Sequence, residues 1–90
     1  RGNGLLMGER VFLQVDTPRG VAWACFDQHQ RRLLWKRNCT PAGKGTWRWS
    51  GDAVLHEGTL YGMISQWQPE PKGPWRAALV SCPAKPIETT

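Results

Sequence analysis

The sequence lacks several features that mark common classes of protein. It has no run of about 18 apolar residues, the length that a transmembrane helix needs, so we predict no membrane span. Its three cysteines, Cys25, Cys39 and Cys82, include neither a Cys-x-x-Cys motif nor an adjacent pair, which excludes zinc-ribbon and dithiol redox motifs. Cys25 and Cys82 stand in apolar runs, and we predict them to be small, buried side chains.

Residues suited to catalysis or metal binding are also scarce. His29 and His56 stand in predicted turns, and neither has a serine or cysteine spaced to act as a nucleophile beside it. The acidic residues are scattered, whereas a metal site needs a cluster of ligands. The sequence therefore predicts no catalytic residue and no bound metal ion, and it favours a non-catalytic protein.

A strand-like pattern runs along the whole chain, and no segment has the period of an amphipathic helix. Short apolar runs at residues 11–15, 21–26, 33–37, 60–67 and 75–82 are separated by turns rich in proline, glycine or polar residues. Runs of this kind predict an all-β, antiparallel protein of about seven or eight short strands.

An internal repeat groups these strands. Residues 11–15 align with residues 60–64 at an offset of 49, and a short apolar segment and a turn precede each copy. A unit of about 50 residues with four strands is typical of a β-propeller blade. We therefore predict one all-β unit over residues 1–90 that forms a partial β-propeller. Its first four-stranded blade spans 5–37, a connection spans 38–50, and an incomplete second blade spans 51–90.

The repeat resembles that of the PQQ-like, or quinoprotein-type, β-propeller family. In that family a strand ends in a small residue or cysteine, an apolar residue and aspartate, and a turn leads to a strand that carries tryptophan. Cys25-Phe26-Asp27 and Trp35 fit this pattern, and residues 51–61 resemble the family's first two strands with their tight turn. The resemblance makes Asp27, Trp35, Gly58 and Tyr61 the structural positions of the repeat.

The sequence departs from the family pattern at several positions. Gln30 and Arg31 stand where threonine and glycine are usual, and Pro83 occupies the second aspartate position. The family's dehydrogenases hold their quinone between an adjacent-cysteine disulfide and a tryptophan, with calcium nearby. This chain has no adjacent cysteines, and we therefore predict no cofactor.

Elementary physical chemistry gives the repeat residues definite roles. The Asp27 carboxylate is expected to accept backbone N–H bonds in the turn that it opens. Trp35 is large enough to fill the gap between neighbouring blades, and its indole N–H needs one acceptor. Gly58, beside Glu57, permits a positive φ in a two-residue hairpin turn.

The charge distribution leaves a second interpretation open. The chain carries 12 basic and 7 acidic residues, and residues 28–51 hold six bases and no acid. A surface formed by these bases and nearby tryptophans could bind an anionic glycan or a nucleic acid, though only weakly and without specificity. The residues of this predicted surface are Arg31, Arg32, Lys36, Arg37, Trp67 and Trp75.

Two blades do not close a propeller, which leads to the principal functional hypothesis. We expect a structural, protein-interaction scaffold whose partners are other polypeptides or further blades of the same protein. The contact is expected along the faces bearing Val11, Leu13, Val54 and Leu60. The alternatives are a small secreted, basic, tryptophan-rich binding module and a fragment of a quinoprotein dehydrogenase. The resemblance implies an extracytoplasmic, that is periplasmic or secreted, location.

Overall fold

The computed structural model describes residues 4–42, 45–67 and 76–85, which form eight strands and no helix. The prediction of an all-β, antiparallel protein is therefore confirmed. Within this part of the chain no helix exists that could span a bilayer. The strands are β1 Gly4–Met7, β2 Arg10–Thr17, β3 Gly20–Asp27, β4 Arg32–Asn38, β5 Thr46–Trp49, β6 Val54–His56, β7 Thr59–Trp67 and β8 Arg76–Pro83.

The first sheet is a meander in which β1, β2, β3 and β4 follow one another in space as they do along the chain. Every neighbouring pair is antiparallel, so short turns suffice to connect them. Gly8 opens the β1–β2 turn with a φ of 61°, a conformation that glycine adopts without steric cost. This sheet covers residues 4–38, close to the range 5–37 over which the sequence predicts the first four-stranded unit.

The second sheet is organised around the long strand β7. Strand β8 pairs with one edge of β7, while β5 and β6 share the other edge end to end. The segment 38–50, expected to connect two blades, thus contains a strand of the second sheet. Its burial alternates, because Trp47 and Trp49 point into the core while Thr46 and Arg48 are exposed. Residues 87–90, which the sequence predicts to form an outer or frayed strand, lie outside the described residues.

The strand registers reproduce the internal repeat. Leu5 pairs with Phe12 in the first sheet, and Val54 pairs with Tyr61 in the second, 49 residues later on both strands. Phe12 pairs with Cys25, and its counterpart Tyr61 pairs with Ser81, so the offset is 56 on the third strand. The seven extra residues lie between Gln66 and Arg76, the counterparts of Thr17 and Gly20. The two hairpins are therefore equivalent residue by residue.

The core lies between the two sheets. Side chains alternate along each strand, so one face of each sheet turns inward. Trp49 lies at the centre of the contact: its ring centroid is 4.6 Å from that of Trp23, and its Nε1 donates to the backbone oxygen of Val15 at 3.1 Å. Fully buried side chains from both sheets surround this contact: Phe12, Val21, Trp23, Cys25, Leu60, Ile64 and Cys82.

Gly62 lies directly beneath the Trp49 and Trp23 rings, and it supplies a test of this packing. A Cβ placed there would lie 2.6 Å from the Trp49 ring and 3.2 Å from the Trp23 ring. We expect Gly62→Ala to lower the free energy of unfolding by about 1–3 kcal/mol, because the two indoles must move apart.

The matched control for this substitution is Gly51→Ala, because a Cβ at Gly51 meets nothing within 4 Å. Urea unfolding of both variants measures the difference. Equal effects at the two glycines would contradict the packing of Trp49 and Trp23 over Gly62.

Candidate docking faces

The exposed large apolar side chains of the described residues all lie on the two faces that point away from the core. They are Leu6, Phe26, Leu33, Val54, Met63 and Leu79, with exposed fractions between 38% and 65%. Single exposed apolar residues are ordinary on a protein surface, but their confinement to two sheet faces is informative. These two faces are the candidate functional site.

The outward face of the first sheet is continuous across its four strands. Leu6 pairs with Val11, Val11 pairs with Phe26, and Phe26 pairs with Leu33, so all four side chains share one face. A β-bulge between Cys25 and Phe26 shifts the register of β4 at that point. We define the outward face of the first sheet by these apolar residues and the half-buried ones beside them: Leu6, Val11, Leu13, Val15, Phe26 and Leu33.

The turn end of this face is hollow, because the alanines Ala22 and Ala24 lie low between their neighbours. A pocket of about 260 Å³ opens there. Two cationic residues stand at its rim, which gives this end of the face a positive charge. The pocket is lined by Thr17, Pro18, Arg19, Ala22, Lys36 and Asn38.

The outward face of the second sheet is defined by Val54, Tyr61, Met63 and Leu79. Val54 pairs with Tyr61, and Met63 pairs with Leu79, which places all four on one side of β7 and its neighbours. Val54 and Leu79 are 58% and 63% exposed, more than any of their inward counterparts. This face too is apolar and uncovered in the described structure.

The repeat relates these exposed faces to the buried ones. Phe12, Gln14 and Trp23 on the inward face of the first sheet correspond to Tyr61, Met63 and Leu79 on the outward face of the second. The reverse also holds, because inward residues of the second sheet correspond to outward residues of the first. Each sheet therefore buries one face and exposes the other, and the exposed face is equivalent by the repeat to the buried face of the other sheet.

This arrangement corrects one expectation about the contact faces. Val11, Leu13 and Val54 are on outward faces, but Leu60 is fully buried. Leu60 pairs with Leu55 and Cys82, whereas Val54 pairs with Tyr61, so Leu60 and Val54 occupy opposite faces of the second sheet. The prediction that Leu60 lies on a contact surface is wrong, because side chains alternate along β7. Val54 and Leu60 both stand in apolar runs, so the sequence does not show that they occupy opposite faces.

The turn after β3 has the geometry expected for Asp27. Its Oδ1 accepts the backbone N–H groups of His29 at 2.8 Å and Gln30 at 3.0 Å. These bonds, first that from Gln30, hold the pKa of the Asp27 carboxyl below its ordinary value. The turn closes at Arg31, whose φ of 54° is a left-handed conformation that non-glycine residues seldom adopt.

Trp35 lies on the inward side of β4, opposite Cys25, and packs against the core. Its ring lies 6.2 Å from that of Phe12, and the Arg37 guanidinium lies 5.9 Å from its centroid. The indole N–H of Trp35 is buried and has no acceptor among the described residues, so the partner expected for it is not found there.

The other two repeat positions belong to the second sheet. Glu57 and Gly58 form a two-residue turn between β6 and β7, with φ values of 49° and 77°. Both values fit the hairpin turn that favours glycine. Tyr61, next along β7, lies on the outward face.

The predicted basic surface is divided by the alternation of β4. Lys36 pairs with Ala24 on the outward side, whereas Arg37 pairs with Trp23 on the inward side and lies 3.9 Å from the Cys82 sulfur. Arg31 and Arg32 stand at the turn end of the strand and are exposed. The side chain of Trp67, and Trp75 as a whole, lie outside the described residues, so their part of the surface stays a prediction.

The cysteines and histidines occupy separate places in the described structure. Cys25 and Cys82 are free and buried, as predicted, and burial raises the pKa of both thiols. Burial also raises the pKa of Cys39 to about 11, which keeps this group a thiol at neutral pH. His29 and His56 are exposed, and among residues 4–42, 45–67 and 76–85 no three metal-binding side chains come together.

Sequence reasoning missed several residues of the candidate faces. Leu6, Phe26, Leu33, Met63 and Leu79 belong to runs that suit a core as well as a surface. The repeat relates each apolar face of one sheet to the opposite face of the other, but no signal in the sequence says which of the two faces is buried.

The left-handed residue of the Asp27 turn gives a test of the local geometry. We expect Arg31→Gly to raise the free energy of unfolding by about 0.5–1 kcal/mol, because glycine adopts this φ without the steric cost that arginine meets. His29→Gly, in the same turn but without a positive φ, should lower it by a similar amount. Thermal and urea unfolding measure both changes. A loss of stability in Arg31→Gly would contradict the left-handed conformation.

The lowered pKa of Asp27 predicts a dependence of stability on pH. A carboxyl whose pKa is lower in the folded chain stabilises the fold above its unfolded pKa of about 3.9. That contribution disappears as the pH falls through the lower, folded value. The difference in unfolding free energy between the wild type and Asp27→Asn should therefore be constant near neutral pH and should shrink in acid. A difference that is unchanged throughout the acid range would show that the carboxylate receives no such bonds.

The described residues thus offer two uncovered apolar faces and a small hollow with a basic rim. The two faces carry all the large apolar side chains that are exposed in the described residues. No protein-family model, curated protein or solved structure matches this chain.

Proposed function

We propose that the chain is a segment of a β-propeller of the PQQ-like type that acts as a non-catalytic scaffold for other polypeptides. The outward faces of its two sheets are the docking surfaces. Each receives a further sheet of the same kind, supplied by the rest of a longer chain or by a partner. The chain then contributes two neighbouring sheets to a larger β assembly.

The observation that carries this proposal is the correspondence between buried and exposed faces. The contact inside the chain joins two different faces, one from each copy of the repeat. Because this contact joins two unlike faces, one face of each kind stays uncovered. Each uncovered face can then pack against a further unit of the same kind. Propellers are built in this way, since each blade buries one face against the preceding blade and the other against the next.

The turn after β3 supports the resemblance to the PQQ-like repeat. Arg31 adopts a left-handed φ at the position where the family usually has glycine. Asp27, the family's turn aspartate, accepts two backbone N–H groups, and Trp35 packs against the core. The extracytoplasmic location is part of the same proposal and depends on the resemblance alone.

A second candidate function is weak binding of anionic groups, such as those of a sulfated glycan or a nucleic acid. The hollow lined by Arg19 and Lys36 favours it, since two cations beside one recess attract phosphate or sulfate. The bases do not form one continuous surface, because β4 sends Lys36 and Arg37 to opposite sides. Binding of this kind should weaken steeply with salt, because it depends on the release of counterions.

Photo-cross-linking in the cells of the source organism tests which of the two functions holds. A photoreactive amino acid replaces Leu33 on the outward face of the first sheet or Leu79 on that of the second. His29, exposed on the turn and outside both faces, is the matched control position. We expect polypeptide adducts from positions 33 and 79 and few from position 29, since only the faces should be covered.

Two outcomes would contradict the scaffold function. Equal yields at all three positions would show that the faces are uncovered in the cell. Adducts from position 33 that are sensitive to nuclease or glycosidase would favour binding of anionic polymers instead. Mass spectrometry of the adducts distinguishes these cases and identifies which polypeptide covers each face.

A further inference from the structure

We infer that the polypeptide that covers the outward face of the first sheet is a second copy of this chain, which docks with the outward face of its own second sheet. The inference rests on the proposed function, because it names the partner for the docking faces described there. The resulting contact is head to tail, and it uses both uncovered faces of every copy except at the ends.

The contact inside the chain provides the template. There, the inward face of the first sheet meets the inward face of the second. By the repeat, the outward face of the second sheet is equivalent to the inward face of the first sheet. The outward face of the first sheet is likewise equivalent to the inward face of the second sheet. Placing one copy's second sheet against the next copy's first sheet therefore repeats the part of this contact in which Trp23 and Gln14 lie over Gly62, while β5 and Trp49 have no counterpart in the first sheet.

The volumes at the two contacts change in a compensating way. Inside the chain, Trp23 and Gln14 pack over Gly62, whose missing side chain leaves them room. At the intermolecular contact the corresponding residues are Leu79 and Met63, packing over Leu13. Leu79 is smaller than its counterpart Trp23, and Leu13 is larger than its counterpart Gly62. Volume-conserving exchanges of this kind preserve packing.

Each outward face carries basic residues near its margin. Lys36 lies on the outward face of the first sheet, and Arg48 and His56 on that of the second, all on edge strands. Lys36 and Arg48 have like charges, so the attraction between the two faces must come from their apolar side chains.

The competing occupants differ in what they predict. A two-fold dimer would bring two identical faces together and would leave the other pair of faces uncovered. A foreign polypeptide would leave the isolated chain monomeric. Head-to-tail docking instead produces a ring if the rotation closes, or an open series of copies if it does not.

Sedimentation velocity of the purified chain over about a hundredfold range of concentration tests the inference. We expect species larger than a dimer to form as the concentration rises. A wild-type chain that stays monomeric over the whole range would overturn self-docking without any variant being needed.

Two face variants test the direction of docking. Leu33→Arg places a charge on the outward face of the first sheet, and Leu79→Arg places one on that of the second. Each position is already about half exposed or more, so the fold should persist, which circular dichroism checks. Each variant alone should associate roughly a hundredfold more weakly than the wild type, because an unpaired charge would be buried in the contact. Gln28→Arg, on an exposed turn, adds the same charge as a control and should associate as the wild type does.

Mixing the two variants is the decisive measurement. Each variant retains the face that the other has lost, so an equimolar mixture should form a one-to-one dimer and nothing larger. A variant that dimerises fully on its own would indicate a two-fold contact and would overturn head-to-tail docking. A monomeric chain that still cross-links to other polypeptides would overturn self-docking and leave the scaffold function intact. Failure of both experiments would overturn both.

Discussion

The packing of Trp49 against the first sheet is the contact on which the structure depends. Its ring lies edge-on to Trp23 and above Gly62, its Nε1 donates to the Val15 carbonyl, and its backbone N–H donates to the Asp16 carboxylate at 3.2 Å. One residue thus joins the sheets by packing and by two hydrogen bonds. A chain of this length has few other means of burying apolar surface, because short chains bury a smaller fraction of it.

The same geometry explains why apolar residues are left on the surface. A sheet with one apolar face can bury it against a single partner and present a polar face to water. Both sheets of this chain have two apolar faces, so the contact between them covers only one apolar face of each sheet. Exposed side chains such as Leu6 and Leu79 are a cost for an isolated molecule. In an assembly of similar sheets they become the next contact, which is why the proposed function and the inferred partner follow from the packing.

Much of the fold could be predicted from sequence, because antiparallel hairpins depend on local signals. The turn at Glu57-Gly58 and the apolar runs around Phe12 and Ile64 place the strands to within a few residues. The repeat at an offset of 49 also predicts the pairing of the first two strands of each unit, since the turns between them are equal in length. The sequence favours a connection for the segment containing Trp47 and Trp49, because it follows a stretch in which Pro41 and two glycines disfavour regular structure. Its pairing with β7 is a long-range contact that no local pattern records.

The candidate faces show where sequence reasoning stops. The order of strands, the apolar character of each run and the turn chemistry of Asp27 are properties of neighbouring residues, and the sequence by itself determined them. It did not determine which of two apolar faces is buried, as Leu60 and Val54 show, nor that Lys36 and Arg37 point to opposite sides. Only the tertiary structure decided these, because a face becomes inward or outward when the second sheet packs against the first, and β5 brings Trp49 into that contact from a distant part of the chain.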